Sequence, residues 1–403
     1  MQTNLADLIK DTADGREADA ILRKCVHCGF CTATCPTYQL LGDELDGPRG
    51  RIYLIKEALE GQAVTGKTRL HLDRCLTCRS CETTCPSGVR YGRLVDIGRN
   101  LVEERAPRPL KERAVRRLLR WLLPHPRRFA PLLALGQTLR PVLPAALRRK
   151  VPKRSRAGTW PAPRHTRRML CLDGCVQSSI APGINAAAAR VLDRLGVSVV
   201  STTAAGCCGA VSHHLSAREE ALGYMRRNID AWWPQVEQGA EAIIIGASAC
   251  TAMIKEYGEL LAEDPLYAEK AARVSELARD LSEVIADEDL AGLGNSTVLS
   301  RRVAFHSPCT LQHGQSIRGT VESILDARGH RLTRVRDGHL CCGSAGTYSI
   351  LQPTLSKQLR DNKIAALTAG KPDLIATANI GCLLELGAAA DVPVVHWIEL
   401  LDE

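Results

Sequence analysis

Aromatic side chains are scarce in this sequence, and long apolar runs are absent. Phe, Trp and Tyr make up only 4% of the residues, whereas 45% are hydrophobic, so aliphatic side chains have to fill the interior. The longest apolar stretch, residues 242–254, is shorter than the roughly 20 residues that cross a membrane, and it is typical of a buried strand leading into a helix. The first 20 residues carry acids and no apolar core, which argues against a secretory signal peptide. We therefore expect a cytoplasmic protein.

A fingerprint for dinucleotide binding is also missing. No G-x-G-x-x-G follows a predicted strand, and no flavin site is evident. We expect the substrate chemistry to take place on another chain. The histidines that would be candidate general bases are interpreted as structural or supporting groups: His213, His214, His306, His313 and His396.

Acidic residues are nearly absent from one segment. Residues 105–168 hold 19 Lys and Arg but a single acid, Glu112, so this segment carries +18 while the whole chain carries +9. Two interpretations of it stay open: contact with an anionic membrane surface or an acidic partner, and a linker that packs on the following domain. Nucleic-acid binding is disfavoured, because no recognised fold supports it. The segment predicts an amphipathic helix with an apolar side formed by Ala114, Val115, Leu118, Leu119 and Leu122.

Cysteine, in contrast, is abundant, with 17 residues in repeated spacings. Residues 25–36 and 75–86 both read C-x2-C-x2-C-x3-C-P, the run with which bacterial ferredoxins bind [4Fe–4S] clusters. In two-cluster ferredoxins the fourth cysteine of each run binds the other cluster. A zinc knuckle needs neither the third cysteine nor the proline. The spacing therefore predicts two [4Fe–4S] clusters with exchanged last ligands, the first on Cys25, Cys28, Cys31 and Cys85 and the second on Cys75, Cys78, Cys81 and Cys35.

The chain around these runs predicts a helical domain. Thirty-nine residues separate Cys35 from Cys75, and apolar residues recur there at helical spacing. We therefore expect a helical, ferredoxin-like domain over residues 1–104, followed by a basic, proline-rich linker over residues 105–166.

Eight further cysteines form a second repeated pattern. In each half a cysteine is followed, after 31 residues, by Cys-Cys-Gly and then by one more cysteine. Adjacent cysteines are awkward to join in a disulfide, because the peptide between them is stiff. Each set predicts a metal or redox site, and a further cluster, zinc, and free or redox-paired thiols are all open interpretations. The sets are Cys175, Cys207, Cys208 and Cys250, and Cys309, Cys341, Cys342 and Cys382.

In each half three predicted strands alternate with helices, which predicts a duplicated α/β unit with parallel strands. We expect the first repeat over residues 167–298 and the second over residues 299–403. The cysteines follow predicted strand ends, at the edge where open α/β sheets bind ligands. The fold class expected for the whole chain is α/β with a mainly α-helical N-terminal part.

The cysteine order of the duplicated unit resembles that of the CCG-domain family. This family includes the catalytic subunits of heterodisulfide reductases and the iron–sulfur subunits of lactate, glycerol-3-phosphate and glycolate dehydrogenases. In heterodisulfide reductases each copy ends in C-x-x-C, and five thiolates hold a non-cubane [4Fe–4S] cluster. This chain has Met253 and Glu385 at those last positions, so the fifth thiolate is absent. A thiol–disulfide reductase is one alternative function.

Longer stretches resemble the iron–sulfur subunits of bacterial glycolate oxidases, better described as glycolate dehydrogenases. They include YQLLGDELDGPRGRIYLIK (38–56), HLDRCLTCRSCETTCPSGVRY (71–91), NIDAWWP (228–234), HLCCGSAGTY (339–348) and TANIGC (377–382).

This resemblance implies a complex with two subunits of the FAD-binding family, which oxidise glycolate to glyoxylate. FAD is expected on those partners only, and electrons would leave through this chain toward a quinone or another membrane acceptor. The chain is then a non-flavin, electron-transfer subunit, peripheral on the inner face of the cell membrane. The alternatives are the equivalent subunit of a lactate or glycerol-3-phosphate dehydrogenase and, more remotely, a nucleic-acid-binding iron–sulfur protein.

Overall fold

The N-terminal third of the chain is helical. The computed structural model describes residues 1–144, 148, 151–294 and 300–402. Up to residue 144 the described chain contains helices, turns and loops only. The α-helices are Asp7–Lys10, Ala13–Lys24, Phe30–Ala33, Pro36–Leu41, Pro48–Leu59, Gly66–Asp73, Ser80–Thr84, Tyr91–Arg105, Leu110–Leu122 and Pro126–Leu139, and the short 3-10 turns are Glu44–Asp46 and Arg140–Val142.

The long helices of this part pack around an aliphatic core that holds the two cysteine runs in place. Leu22, Ile55, Leu59 and Leu94 are fully buried there, and Cys25, Cys75 and Cys81 belong to the same core. Gly98 permits the close crossing of helices Pro48–Leu59 and Tyr91–Arg105, because a Cβ at Gly98 would lie 2.6 Å from Cγ1 of Ile55. The predicted helical N-terminal domain is therefore confirmed.

Two four-stranded parallel sheets follow, one in each repeat. The first has the order β2-β1-β3-β4 and the second the order β6-β5-β7-β8, so the strand order is the same in both. The predicted duplicated α/β unit is confirmed, although the sequence indicated only three strands in each copy. The strands are β1 Arg167–Cys171, β2 Val197–Ser201, β3 Ile243–Ile245, β4 Ala278–Asp280, β5 Arg302–His306, β6 Arg331–Leu332, β7 Leu374–Thr377 and β8 Val394–His396.

Helices cover both sheets and connect successive strands, as parallel strands require. Those of the first repeat are Gln177–Ile180, Gly183–Arg194, Ala210–His214, Arg218–Glu237, Ser248–Lys255, Tyr257–Leu260, Ala268–Leu277 and Leu281–Ala286. Those of the second repeat are Cys309–Gln312, Thr320–Ala327, Tyr348–Leu351, Pro353–Thr368 and Ile380–Gly387, and 3-10 turns occur at Leu290–Leu293 and Trp397–Leu400.

The two repeats share one hydrophobic core. Val191 of the first repeat and Leu325 and Trp397 of the second are fully buried in the same cluster. The imidazole Nε2 of His396 hydrogen-bonds to the carbonyl oxygen of Gly246 at 2.8 Å, across the boundary between the repeats. The repeats therefore form one packed body.

The basic segment begins with the predicted amphipathic helix, Leu110–Leu122. Its apolar side does not simply face the protein, and its arginines do not all face the solvent. Arg116 donates to Asp73 of the helical domain at 3.0 Å, and Arg120 pairs with Glu220 of the first repeat at 3.1 Å. Leu119 is buried, whereas Leu118 is 56% exposed. Arginines thus help to hold the helix on the rest of the chain, and part of its apolar surface faces outward. In the described part of the chain no helix is both long and apolar enough to cross a membrane.

Candidate iron–sulfur centres

The first group of cysteines lines one small pocket in the helical domain. Cys25, Cys28, Cys31 and Cys85 surround a cavity of about 30 Å³, which Cys81 also reaches. Cys85 comes from the second cysteine run and meets the first three cysteines of the first run. The structure thus brings together the four residues that the spacing assigned to the first cluster.

The second group surrounds a neighbouring cavity of about 20 Å³. Its lining includes Cys75, Cys78 and Cys81 of the second run together with Cys35 of the first run. The last cysteine of each run therefore lies with the opposite trio, which is the exchange expected for a two-cluster ferredoxin. That these eight thiols bind iron stays a prediction for each individual residue.

The two cysteine runs share an unusual backbone conformation. His27 and Gly29 have φ angles of 56° and 83°, and the equivalent Thr77 and Arg79 have φ angles of 52° and 60°. Three of these four residues carry side chains that rarely adopt positive φ. Strain of this kind persists where the surrounding structure imposes it, and it is concentrated at functional sites. Its repetition in both runs indicates loops shaped for a ligand.

Two of these thiols, Cys31 and Cys81, lie in surroundings that disfavour an uncompensated negative charge. Burial raises the pKa of Cys31 to about 11, and the neighbouring thiol of Cys25 adds to this effect. Burial also raises the pKa of Cys81 well above its usual range, with a further contribution from Cys78 and Cys75. Crowded thiolates in a buried pocket are unfavourable unless a metal compensates their charge. Four such thiols are the ligand set of a [4Fe–4S] cluster.

A buried arginine lies beside the second pocket. Arg51 is 1% exposed, lines the pocket, and donates from Nε to the carbonyl oxygen of His71 at 2.7 Å. Its guanidinium lies 3.5 Å from the carboxylate of Asp46, which also accepts from Arg74 at 2.7 Å. Burial opposes the charge of Arg51, but Cys75 and other acidic groups around it raise its pKa above the usual value. The sequence reasoning did not single out this network.

The cysteines of the second repeat gather at the carboxyl ends of its strands. The Sγ atoms of Cys309 and Cys341 are 4.0 Å apart, and the Cys341 thiol and burial raise the pKa of Cys309 well above its usual range. Gly343 has a φ of 88°, and a Cβ there would lie 2.5 Å from the carbonyl oxygen of Ser356, so the turn after the paired cysteines requires glycine. All four predicted residues, Cys309, Cys341, Cys342 and Cys382, line one cavity of about 190 Å³.

The cysteines of the first repeat gather in the same way. Cys207 and burial raise the pKa of Cys175 well above its usual range, and Cys208 interacts with both Cys207 and Cys250. Cys175, Cys207 and Cys208 are buried, whereas Cys250 is half-buried. Among the described residues, none of these four lines the cavity of the second set.

Four of the five candidate histidines make contacts that fit a structural role. His213 and His214 face the buried Asp96 of the helical domain, at 3.2 and 3.6 Å. His313 lies 2.9 Å from the hydroxyl of Thr83, and the contact of His396 between the repeats is described above. His306 is the exception, because its Nε2 atom has no hydrogen-bond partner in the described part of the chain.

Comparisons with known proteins agree with this geometry. Residues 21–89 match the model of the 4Fe-4S dicluster domain, and residues 169–255 and 303–387 each match that of the cysteine-rich domain known as CCG. The chain is 57% identical over 404 residues to the glycolate oxidase iron–sulfur subunit of Escherichia coli (strain K12), covering 100% of this chain and 99% of that protein. The chain belongs to the family of glycolate oxidase iron–sulfur subunits.

The more distant relatives include proteins named for glycolate and proteins named for lactate. A probable glycolate oxidase iron–sulfur subunit of Bacillus subtilis (strain 168) is 30% identical, over 95% of this chain and 94% of that protein. Lactate utilization protein A of Bacillus velezensis is 27% identical, over 57% of this chain and 96% of that protein. Together these findings confirm the predicted fold class, the family, and iron–sulfur clusters as the cofactors of this family member.

Proposed function

We propose that this chain is the electron-transfer subunit of a glycolate dehydrogenase complex, an oxidoreductase that converts glycolate to glyoxylate. The 57% identity to the Escherichia coli subunit along the whole chain is the observation that carries the proposal. The lower identity and partial coverage of the lactate utilization protein favour glycolate over lactate as the substrate of the complex.

Two [4Fe–4S] clusters supply the one-electron chemistry of this role. Cys25, Cys28, Cys31 and Cys85 would hold the first cluster, and Cys75, Cys78, Cys81 and Cys35 the second. One hydrophobic core contains or touches cysteines of both ligand sets, which supports a short path between them: Cys25, Cys31 and Cys85 of the first, and Cys75 and Cys81 of the second. Arg51 places a positive charge beside the second set, which favours the more negative, reduced state of a centre bound there.

The partners in this proposal are two subunits of the FAD-binding family. Oxidation of glycolate to glyoxylate releases two electrons and two protons, which a flavin accepts together. This chain would take up those electrons singly and deliver them to a quinone or another acceptor at the membrane.

We place the subunit on the inner face of the cell membrane, bound through its basic segment. Exposed apolar side chains on a surface rich in arginine are typical of segments that bind anionic lipid. The side chains that support this placement are Leu110, Leu118, Trp121, Leu132, Leu135 and Val142, each exposed by half or more.

The alternative of a thiol–disulfide reductase finds no support in the thiols of the repeats. A nucleophilic cysteine needs a lowered pKa. The neighbouring thiols and burial instead raise the pKa of Cys175 and of Cys309.

Anaerobic co-purification with the two flavin subunits tests the proposal. Addition of glycolate should reduce the iron–sulfur clusters of the complex within its turnover time, seen as bleaching of their visible absorption and as an electron paramagnetic resonance signal. Clusters that stay oxidised with glycolate but become reduced with lactate would contradict the assignment of the substrate.

A further inference from the structure

His306 is a buried imidazole with an unexplained nitrogen. It ends strand β5, three residues before Cys309, and it is 2% exposed. Its Nε2 atom has no hydrogen-bond partner among the described residues. A buried polar atom without a partner costs free energy, so an unsatisfied group in a native protein calls for a ligand or another explanation.

Two sulfur atoms lie next to this imidazole. One ring nitrogen of His306 and the Sγ atoms of Cys342 and Cys382 all lie within 4.8 Å of one another. Metal bonds to imidazole and thiolate are about 2.0–2.3 Å long, so ligands of one metal centre stand at separations of this order. The three side chains are therefore close enough to share one centre.

Glu385 occupies the position of the missing fifth thiolate in the second repeat, and its carboxylate contacts other residues. Glu385 accepts a hydrogen bond from Ser356 at 3.2 Å and pairs with Arg360 at 3.8 Å. With His306 included, the second repeat still offers five donor atoms, four sulfurs and one nitrogen. A structural zinc site uses four, so the set exceeds what one zinc ion needs.

We propose that His306 takes the place of the absent fifth thiolate and is a ligand of a third iron–sulfur centre, held with Cys309, Cys341, Cys342 and Cys382. This inference rests on the proposed electron-transfer function and extends its path by one centre.

The first repeat lacks the features that distinguish this site. Leu172 precedes Cys175 by three residues, as His306 precedes Cys309, and a leucine offers no ligand atom. A Cβ at Gly209 would lie 3.0 Å from the carbonyl oxygen of Ala221, and a Cβ at Gly343 would lie 2.5 Å from that of Ser356. Ala221 and Ser356 therefore occupy equivalent positions in the two helices that follow the paired cysteines. Counted from these contacts, Asn228 of the first repeat corresponds to Lys363 of the second.

Lys363 gives the second site a buried positive charge. It is 3% exposed and donates from Nζ to the carbonyl oxygen of Asp337 at 2.7 Å. Burial lowers the pKa of Lys363, and the nearby thiols of Cys342 and Cys341 oppose that shift. Asn228 is neutral and donates to the carbonyl oxygen of Cys207 at 2.9 Å. A cation next to the thiols stabilises an anionic centre at the second site, and the equivalent helix position of the first repeat carries no charge. We therefore expect the third centre in the second repeat and none in the first.

The cavity of this site continues to the second ferredoxin-like group. Cys75 and Cys78 line the same 190 Å³ cavity as Cys309, Cys341, Cys342 and Cys382. Cys78 and Cys309 also pack against the same apolar cluster, which includes Cys341. Electrons that leave the second cluster would therefore reach the third centre next.

Iron analysis of the anaerobically purified complex tests the loading of the site. Two [4Fe–4S] clusters account for about eight iron atoms per chain, so a third centre raises the count above eight. Cys342→Ser should remove the additional iron, whereas the matched Cys208→Ser in the first repeat should not. A wild-type count of about eight, or equal losses in both variants, would overturn the inference.

Nitrogen hyperfine coupling tests the ligand itself, independently of turnover. In the reduced complex one cluster signal should show coupling to a directly bound imidazole nitrogen. His306→Cys should abolish this coupling and retain the iron, and the matched Leu172→Cys should leave the spectrum unchanged. A wild type without the coupling, or coupling that persists in His306→Cys, rules out His306 as a ligand. Glycolate-dependent reduction of the two ferredoxin-type clusters in that case would leave the proposed function standing.

Discussion

The hydroxyl of Tyr348 donates a 3.1 Å hydrogen bond to the carbonyl oxygen of Arg74. Tyr348 follows the Cys-Cys-Gly turn of the second repeat, and Arg74 immediately precedes Cys75 of the helical domain. The bond therefore joins the two loops that carry cysteines lining the common cavity. It fixes the repeat against the cluster-binding domain at the place where electrons have to cross.

Removal of this hydroxyl should loosen the domain contact without removing iron. Tyr348→Phe keeps the buried ring and loses one hydrogen bond, which contributes about 1 kcal/mol. We expect the apparent unfolding temperature of the complex to fall by about one degree with unchanged iron content. Tyr267→Phe, which removes a bond to Asp230 away from the cysteines, is the control for the iron content and cluster spectra. Loss of iron in Tyr348→Phe would contradict the prediction, because it would show that the hydroxyl bond itself is needed to hold the cluster loops.

The buried charge of Arg51 should set the reduction potential of the second cluster. Arg51→Gln removes a positive charge next to Cys75 and Cys35, so the reduced form loses stabilisation. We expect the potential of one cluster to fall by tens of millivolts, on the order of 1–2 kcal/mol at an effective dielectric constant near 20. Redox titration followed by paramagnetic resonance measures it. The exposed Arg302→Gln is the control, and equal shifts in both variants would refute a local effect.

His396 predicts a loss of stability in mild acid. Its burial lowers the pKa from 6.5 to about 4, so the folded chain keeps this imidazole neutral where the unfolded chain binds a proton. The contribution is complete above pH 6.5 and is lost as the pH falls toward 4, amounting to about 3 kcal/mol. Apparent unfolding temperatures between pH 7.5 and 5 should fall less steeply in His396→Gln. An unchanged slope would contradict the prediction.

The outward apolar surface of the basic segment predicts binding to anionic vesicles. Leu118→Glu should weaken binding of the complex roughly tenfold, because it removes an apolar contact and adds a charge of the wrong sign. Leu266→Glu, at a residue 78% exposed in the first repeat, should have no comparable effect. Vesicle sedimentation at low and moderate salt measures the difference. Binding that both variants weaken equally would point to net charge alone.

The cysteine arrangement was predictable from sequence because its chemistry fixes its spacing. The exchange of Cys35 and Cys85 follows from a run that recurs in two-cluster ferredoxins. Strands β4 and β8 were missed because each is only three residues long and passes directly into a helical turn, so neither stands out as a separate extended segment. The contacts of Arg51 with His71 and of Asp46 with Arg74 join residues 20 or more positions apart, so they depend on how distant segments fold together. His306 was one of five candidate histidines, and only its unpaired nitrogen, which the sequence cannot show, distinguishes it from the other four.

The exchange of last ligands is tested most directly by single alanine variants of four cysteines. Cys35→Ala and Cys75→Ala should alter the same paramagnetic signal, and Cys85→Ala and Cys25→Ala should alter the other. Each pair should lose similar amounts of iron. If Cys35→Ala instead alters the signal that Cys25→Ala alters, the clusters do not exchange ligands and the proposed path is wrong.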